Sequence, residues 1–149
     1  SVKVLGVFSC TWNGVPMLYS GQELPNTKRL KFFDKDPIEW TGKYELHNFY
    51  KVLLTLHKNN PACRGGDVKV ATIKLHTNHD NKVFAFLRKR NGNEVLTILN
   101  LSGETVNDFM IHEAIVDGEF RNVFTDEKRL LNEQSVYKLH SWGWLVFEK

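Results

Sequence analysis

The sequence predicts an α+β chain: a helix–strand–helix slice of an α/β architecture at the N-terminal end, followed by an all-β sandwich. Two observations carry this. Before Gly65-Gly66 the apolar residues recur at helical or mixed spacing, whereas after it short β-rich runs alternate with turn residues every 8–12 positions, the texture of a sandwich or barrel. The chain's 149 residues, 42% of them hydrophobic, are also enough for about one domain with a sizeable core, which excludes a disordered or low-complexity polypeptide.

The elements follow in order. Val4, Val7 and Phe8 form one stripe within Val2 to Trp12, and Asn13-Gly14 stops that helix. Val15-Pro16-Met17-Leu18-Tyr19 is an almost wholly apolar run, as suits a parallel strand covered on both faces. Ser20 to Trp40, with Gly21, Pro25 and Pro37, reads as a long loop, and loops of that length usually carry function. From Tyr44 to Lys58 the residues Leu46, Phe49, Tyr50, Leu53 and Leu56 make the strongest helical stripe in the chain. Thr41 is the expected N-cap, Glu45 suits the first turn, and Asn59-Asn60-Pro61 ends the helix.

Beyond Gly66 the expected strands are Val68–Leu75, Val83–Lys89, Val95–Leu101, Val106–Ile111, Ile115–Phe124, Ser135–Leu139 and Gly143–Phe147. Asn91-Gly92 is a two-residue hairpin signal of type I′. Val83, Ala85 and Leu87 oppose Phe84 and Phe86, and Val95, Thr97 and Leu99 oppose Leu96 and Ile98. Both faces of these strands are apolar, so a second layer should cover the sheet, and the N-terminal helices are the obvious cover.

Charge and cysteine usage narrow the function. Twenty Lys+Arg against 17 Asp+Glu leave a formal +3 spread along the chain. The densest basic run, Arg88-Lys89-Arg90, reads as a solvated hairpin end, and nucleic acid is not an expected partner. No run approaches the roughly 20 apolar residues of a membrane span, so no membrane partner is expected. Two cysteines, Cys10 and Cys63, are too few for a disulfide framework. Ser1 to Cys10 is a poor imitation of a lipoprotein signal, because Trp12-Asn13-Gly14 follows directly and there is no initiator Met. The chain is expected to begin inside a larger protein.

Gly14-Val-Pro16-Met-Leu-Tyr19-Ser-Gly21-Gln22-Glu23 resembles the segment on the eighth barrel strand of the α-amylase superfamily, glycoside hydrolase family 13, at every fixed position of Gly-x-Pro-x-x-Tyr-x-Gly-(Gln/Glu)-Glu. Further segments resemble that family in the same order. Phe32-Phe33-Asp34-Lys35-Asp36-Pro37-Ile38 with Trp40 is similar to its eighth βα loop, and Phe49-Tyr50-Lys51-Val52-Leu53 through Asn60-Pro61-Ala62 to its eighth barrel helix. Val83-Phe-Ala-Phe86, Val95 through Ser102 and Trp142-Gly143-Trp144-Leu-Val-Phe147 resemble its C-terminal β-domain, domain C.

The resemblance implies that residues 1–65 are the terminal helix–strand–helix of a (β/α)₈ TIM barrel and 66–149 a Greek-key β-sandwich. It implies α-glucan hydrolysis with retention, which needs two carboxyl groups about 5–5.5 Å apart. In the family all catalytic carboxylates precede the Gly-x-Pro segment, so no catalytic residue is expected in this chain and the isolated chain should be inert. Its partners are then the upstream barrel of the same protein and, through it, the α-glucan; self-association of the isolated fragment is a further expectation. The alternative is a non-catalytic starch-binding module. No cofactor is expected in this chain, and any calcium of the parent enzyme would be held mostly by upstream residues. An extracellular or periplasmic setting is preferred over the cytoplasm.

Several residues invite other readings. Asn78-His79-Asp80 mimics the family's catalytic triplet but lies more than fifty residues after the Gly-x-Pro segment, and such polar triplets make ordinary turns. Glu23 stands where barrel active sites lie, yet no second carboxylate accompanies it in a recognisable motif; Tyr19, Gln22 and Glu23 are expected to support the barrel mouth. His76 and His79 are three apart, which on a strand puts them on opposite faces, and His112-Glu113 lacks the second His of a zinc-protease helix. Among Trp12, Trp40, Trp142 and Trp144, the loop residue Trp40 is the expected sugar contact, while Trp142 and Trp144 read as core of a last strand.

Overall fold

The computed structural model describes residues 2–24, 28–31 and 33–149. Pro25 of the expected loop and Phe32 of the matching segment lie outside them. Helices α1 (Val2–Thr11) and α2 (His47–Asn59) come first, then a single 3-10 turn at Pro61–Cys63. Eight strands follow: β1 (Ala71–Leu75), β2 (Val83–Arg90), β3 (Asn93–Asn100), β4 (Val106–Met110), β5 (Gly118–Asn122), β6 (Lys128–Leu131), β7 (Val136–Leu139) and β8 (Trp144–Glu148).

The strands form a six-stranded sheet in the order β1-β2-β3-β8-β5-β6 and a two-stranded sheet of β4 and β7, every pair antiparallel. The β2–β3 hairpin turns on Asn91 and Gly92, whose φ angles of 50° and 81° are the pair of positive values that a I′ turn requires. Strand β6 was not among the expected strands. Its sequence, Lys-Arg-Leu-Leu, has too short and too charged a pattern to show alternation, and pairing with β5 makes it a strand.

Two apolar cores lie on opposite faces of the large sheet. The inner core fills the sandwich, with Leu75, Ala85, Leu87, Leu96, Ile98 and Phe120 facing Val106, Phe109, Tyr137 and Leu139 of the small sheet. The outer core joins the large sheet to the helices: Val4, Val7 and Cys10 of α1 and Leu53 and Leu56 of α2 pack with Phe86, Val95, Leu99 and Val146. The doubly apolar strands therefore have their second cover, and it is the helical layer.

Aromatic rings knit that outer layer. Phe8 stacks on Trp12 at 5.4 Å, and Trp12 meets Phe86 edge-on at 4.8 Å. On α2, Phe49 stacks on Phe124 at 5.8 Å and meets Trp144 edge-on at 5.5 Å. Pairs of this kind contribute about 0.5–1.5 kcal/mol each beyond their buried area. The helices themselves approach closely because residue 6 is glycine: a Cβ there would stand 3.1 Å from the Phe49 ring and 3.3 Å from that of Tyr50. His57 Nδ1 lies 2.9 Å from the carbonyl of Cys10, giving a partner to one of the carbonyls left over at the end of α1.

Polar groups fasten the 3-10 turn to the sheet at two points. Asn60 donates from Nδ2 to Glu148 at the end of β8 (3.1 Å) while its Oδ1 accepts from the Ala62 amide (3.0 Å). Arg88 of β2 donates from Nη2 to the carbonyl of Arg64 (3.0 Å). Arg88 and Glu148 flank Val95 in one cross-strand row, so the turn is held at both ends of that row.

Several expectations need correction. Arg88-Lys89-Arg90 is not a solvated hairpin end. Arg88 is fully buried, Lys89 pairs with Glu94 at 2.7 Å, and Arg90 pairs with Asp67 at 3.0 Å. Burial pulls the Arg88 guanidinium below its usual range. The Val15–Tyr19 run joins no ladder, and Val15, Met17 and Tyr19 are exposed. A barrel strand exists by pairing with neighbours on both sides, and the described residues supply none. Helix α2 starts after Leu46 and takes no side-chain cap; Thr41 instead accepts from the Lys43 amide (3.3 Å) within the loop. Leu46 N donates to Glu23 O at 3.1 Å, just before the helix begins. Trp142 precedes β8 in a turn and is not core.

Two predictions follow from the outer core. Leu53→Ala should cost about 2–5 kcal/mol, the range for truncating a buried leucine. It should shift one denaturant transition seen alike by helical circular dichroism and tryptophan fluorescence; separate transitions would contradict a shared core. Burial pushes the Cys10 thiol up to about 11 and that of Cys63 up to about 12. Both are therefore protonated at pH 8, and a disulfide reagent should label neither in the native chain but both in denaturant. Rapid native labelling would contradict the packing.

Candidate functional site

The segment Gly14–Glu23 turns at Tyr19–Glu23 and is tied to α2 by one side chain. Gln22 accepts through Oε1 from the Tyr19 amide (3.0 Å) and donates through Nε2 to the Tyr50 hydroxyl (3.2 Å). Burial raises the Tyr50 phenol above its usual range, so it is a neutral partner at physiological pH. Leu24 is buried just beyond, and the Glu23–Leu46 backbone bond closes the arrangement. The turn is thereby pinned at the N-terminal end of α2.

This pinning brings Tyr19, Glu23 and Trp40 to one cavity of about 680 Å³, with Leu18, Tyr50 and Lys51 among its other walls. Tyr19 is 62% exposed and Trp40 57%, so both rings are open to solvent. Glu23 makes no salt bridge among the described residues. The lining is apolar and aromatic with hydroxyl, ammonium and carboxylate groups at its rim, the make-up of a small-molecule cleft. It has one carboxylate, whereas glycosidic cleavage with retention takes two at close range.

The other candidates are placed elsewhere. Asn78-His79-Asp80 forms the turn between β1 and β2. Asp80 Oδ1 accepts from the Thr77 amide (2.7 Å) and hydroxyl (3.0 Å), and Asn78 Oδ1 from the Met110 amide (2.9 Å). Desolvation works to raise the Asp80 pKa, but the two Thr77 hydrogen bonds together with the nearby Lys74 and His76 hold the carboxyl below its usual range. His76 Nδ1 sits 2.7 Å from Glu113, whose carboxylate also accepts from the His76 amide. No group of three or more His, Cys, Asp or Glu that would hold a metal occurs among the described residues. Nor is any described helix long and apolar enough to cross a membrane.

A second cavity, of about 720 Å³, was not foreseen. It shares Tyr19 and Ser20 with the first, and Trp142 and Trp144 are also among its walls. The alternation of Trp142-Gly143-Trp144 looked like a strand, and only the turn geometry reveals Trp142 as a surface residue. The positive φ of Trp142, at 54°, has no signature in a single sequence.

Comparison with known proteins shows what these features are similar to. Residues 75–143 match the family described as "Alpha amylase, C-terminal all-beta domain". A cyclomaltodextrinase of Geobacillus thermopakistaniensis (strain MAS1) is 32% identical over 111 residues, which make up 69% of this chain and 17% of that protein. Among solved structures, the maltogenic α-amylase AmyB of Thermotoga neapolitana aligns over 99% of this chain and 36% of its own, with a TM-score of 0.79 and 17% identity. The α-amylase of Geobacillus thermoleovorans, solved with acarbose, aligns over 99% of this chain and 32% of its own, at a TM-score of 0.69 and 18% identity. The chain thus spans about a sixth of the curated relative and about a third of these two structures. Residues 75–143 thus match the α-amylase C-terminal all-β domain, and the whole chain, helices included, shares its fold with these structures.

Proposed function

We propose that this chain is the C-terminal part of an α-amylase-type retaining glycosidase of family 13, with residues 1–65 completing a (β/α)₈ barrel and residues 66–149 bracing it. The observation that supports this most is the docking of α1 and α2 on the outer face of the β2–β3–β8 sheet through one continuous apolar core. A sheet that buries two helices along its length fixes their positions, and helices so fixed orient the Gly14–Glu23 segment between them, which on this reading becomes a barrel strand once its neighbours are present. The role of the chain is then structural: it holds the Tyr19–Glu23 turn, at the mouth of the barrel, against α2 by way of Gln22 and Tyr50. The carboxylates that cleave the α-glucan belong, on this reading, to the preceding part of the barrel.

The exposed apolar side chains fit the same reading. Val2, Leu5, Val15, Met17, Tyr19 and Phe33 are largely uncovered, and they cluster in the stretch that the other barrel units would face. Trp40 is the residue we place against sugar in this part of the chain, beside Tyr19 and Glu23. Its exposure also gives the alternative, a non-catalytic starch-binding module, its one specific support.

A polypeptide extended upstream to a whole barrel should release reducing ends from soluble starch, while the 149-residue chain releases none. Turnover by the chain alone, with contaminating amylase excluded, would overturn the assignment. The same exposed apolar stretch should make the isolated chain self-associate, which light scattering detects as a mass above one chain. A strictly monomeric species would show that this surface needs no cover.

A further inference from the structure

The sequence holds two Asn-Gly pairs, Asn13-Gly14 and Asn91-Gly92, and the fold treats them in opposite ways. Such pairs carry a chemistry of their own. Asparagine is thermolabile, and a glycine after it has no Cβ to keep its amide nitrogen from the asparagine side chain. At the first pair the Gly14 nitrogen would give its proton to solvent base and attack Asn13 Cγ. The new C–N bond closes a five-membered imide, and the side-chain nitrogen takes up a proton and leaves as ammonia. Water then opens the ring at one carbonyl or the other. One opening gives aspartate; the other gives isoaspartate, whose main chain runs through the former side chain and is longer by a methylene. No electrons change hands.

Geometry decides which pair reacts. The ring closes only when the following amide nitrogen lies on the Cβ side of its asparagine. At Asn91 the turn forbids this. Its φ of 50°, with 81° at Gly92, belongs to type I′. There the first central residue has a ψ of about +30°, which turns the next nitrogen away from Cβ. Strands β2 and β3 pair from Arg90 and Asn93 onward, so the turn cannot relax without breaking the ladder. At Asn13 no such lock exists. Helix α1 ends at Thr11, Asn13 is exposed, and neither Asn13 nor Gly14 makes a hydrogen bond among the described residues.

The longer product would strain its surroundings. Just before the pair, Trp12 is held by Phe8 and Phe86. Just after it, the main chain of Gly14 abuts that of Gly65, where a Cβ would stand 2.4 Å from Gly14 O. A methylene inserted between two anchored residues has to displace one of them, and the Gly14–Glu23 segment starts at the second. We propose that Asn13-Gly14 is a site of spontaneous deamidation to isoaspartate, and that the Asn91-Gly92 turn holds the same reaction off. In a (β/α)₈ barrel the link from a helix to the next strand lies on the face away from the active site. Resting on the function proposed above, the pair therefore stays in water in the whole protein.

The test keeps the 149-residue chain and the polypeptide extended upstream in mildly alkaline buffer and maps their peptides by mass spectrometry. In both, the peptide holding Asn13 should gain the mass that replacing NH₂ by OH adds, and Asn13→Gln should abolish the gain. The peptide holding Asn91 should change at least about tenfold more slowly, since it reacts only when the hairpin opens, and in denaturant the two should react alike. The isoaspartyl fraction of the 149-residue chain should melt below its parent, whereas Asn13→Asp, which adds charge without the methylene, melts with the parent. An unchanged Asn13 in either polypeptide overturns the proposal, as does equal modification of the two pairs in the native chain. An isoaspartyl fraction that melts with the parent, or an Asn13→Asp variant that melts as low as that fraction, overturns the strain between Trp12 and Gly14. None of these outcomes bears on the bracing role, which the starch assay decides separately.

Discussion

Everything in this structure depends on one sheet being apolar on both faces. Strands β2, β3 and β8 place Ala85, Leu87, Leu96, Ile98 and Phe147 toward the small sheet and Phe86, Val95, Leu99 and Val146 toward the helices. A half-buried antiparallel sheet would show water one of these faces. Because neither can face water, the helices are not an appendage: leaving them off would expose Phe84, Phe86, Leu99 and Trp144 together. The helical layer and the sandwich therefore share one energetic fate.

The polar contacts refine this arrangement and do not drive it. Arg88 is fully buried with Arg64 O as its hydrogen-bond acceptor, and a buried guanidinium carries a desolvation cost that one carbonyl does not offset. What the contact supplies is geometry. With Asn60 held by Glu148 and Arg64 by Arg88, the 3-10 turn has one seat on the sheet, and α2 enters it at one angle. Glu148 is itself steadied by Arg121 of β5, so the seat is tied into the neighbouring strand. Gln22 plays a comparable part at the opposite end of α2, where it joins the Tyr19 turn to Tyr50.

How much of this could be read from the residues alone depends on what kind of partner each side chain meets. The opposed sets in Val83–Leu87 and Val95–Leu99 were legible because alternation maps directly onto the two faces of a strand, and Asn91-Gly92 because its backbone demand is local. The burial of Arg88 was not, since its acceptor is a backbone carbonyl 24 residues away. The Val15–Tyr19 run has strand composition but no neighbour to pair with among the described residues, and composition does not report pairing. Trp142 is hidden for a related reason: Trp-Gly-Trp has strand periodicity, while the bonds that make it a turn come from Asn100 and Ser102, some 40 residues earlier. Of the candidate site, Tyr19, Gln22, Glu23 and Trp40 were singled out by motif and loop length; the cavity beyond Tyr19 needed coordinates.

Native-state hydrogen exchange tests the shared fate of the two layers most directly. If the sheet and helices open only together, the slowest amides of α2, around Leu53 and Leu56, and those of β2 and β3 should exchange with the same free energy and the same denaturant dependence. Helix amides that exchange through a separate, much easier opening while the sheet stays protected would contradict the account, for then the outer face of the sheet would tolerate water after all.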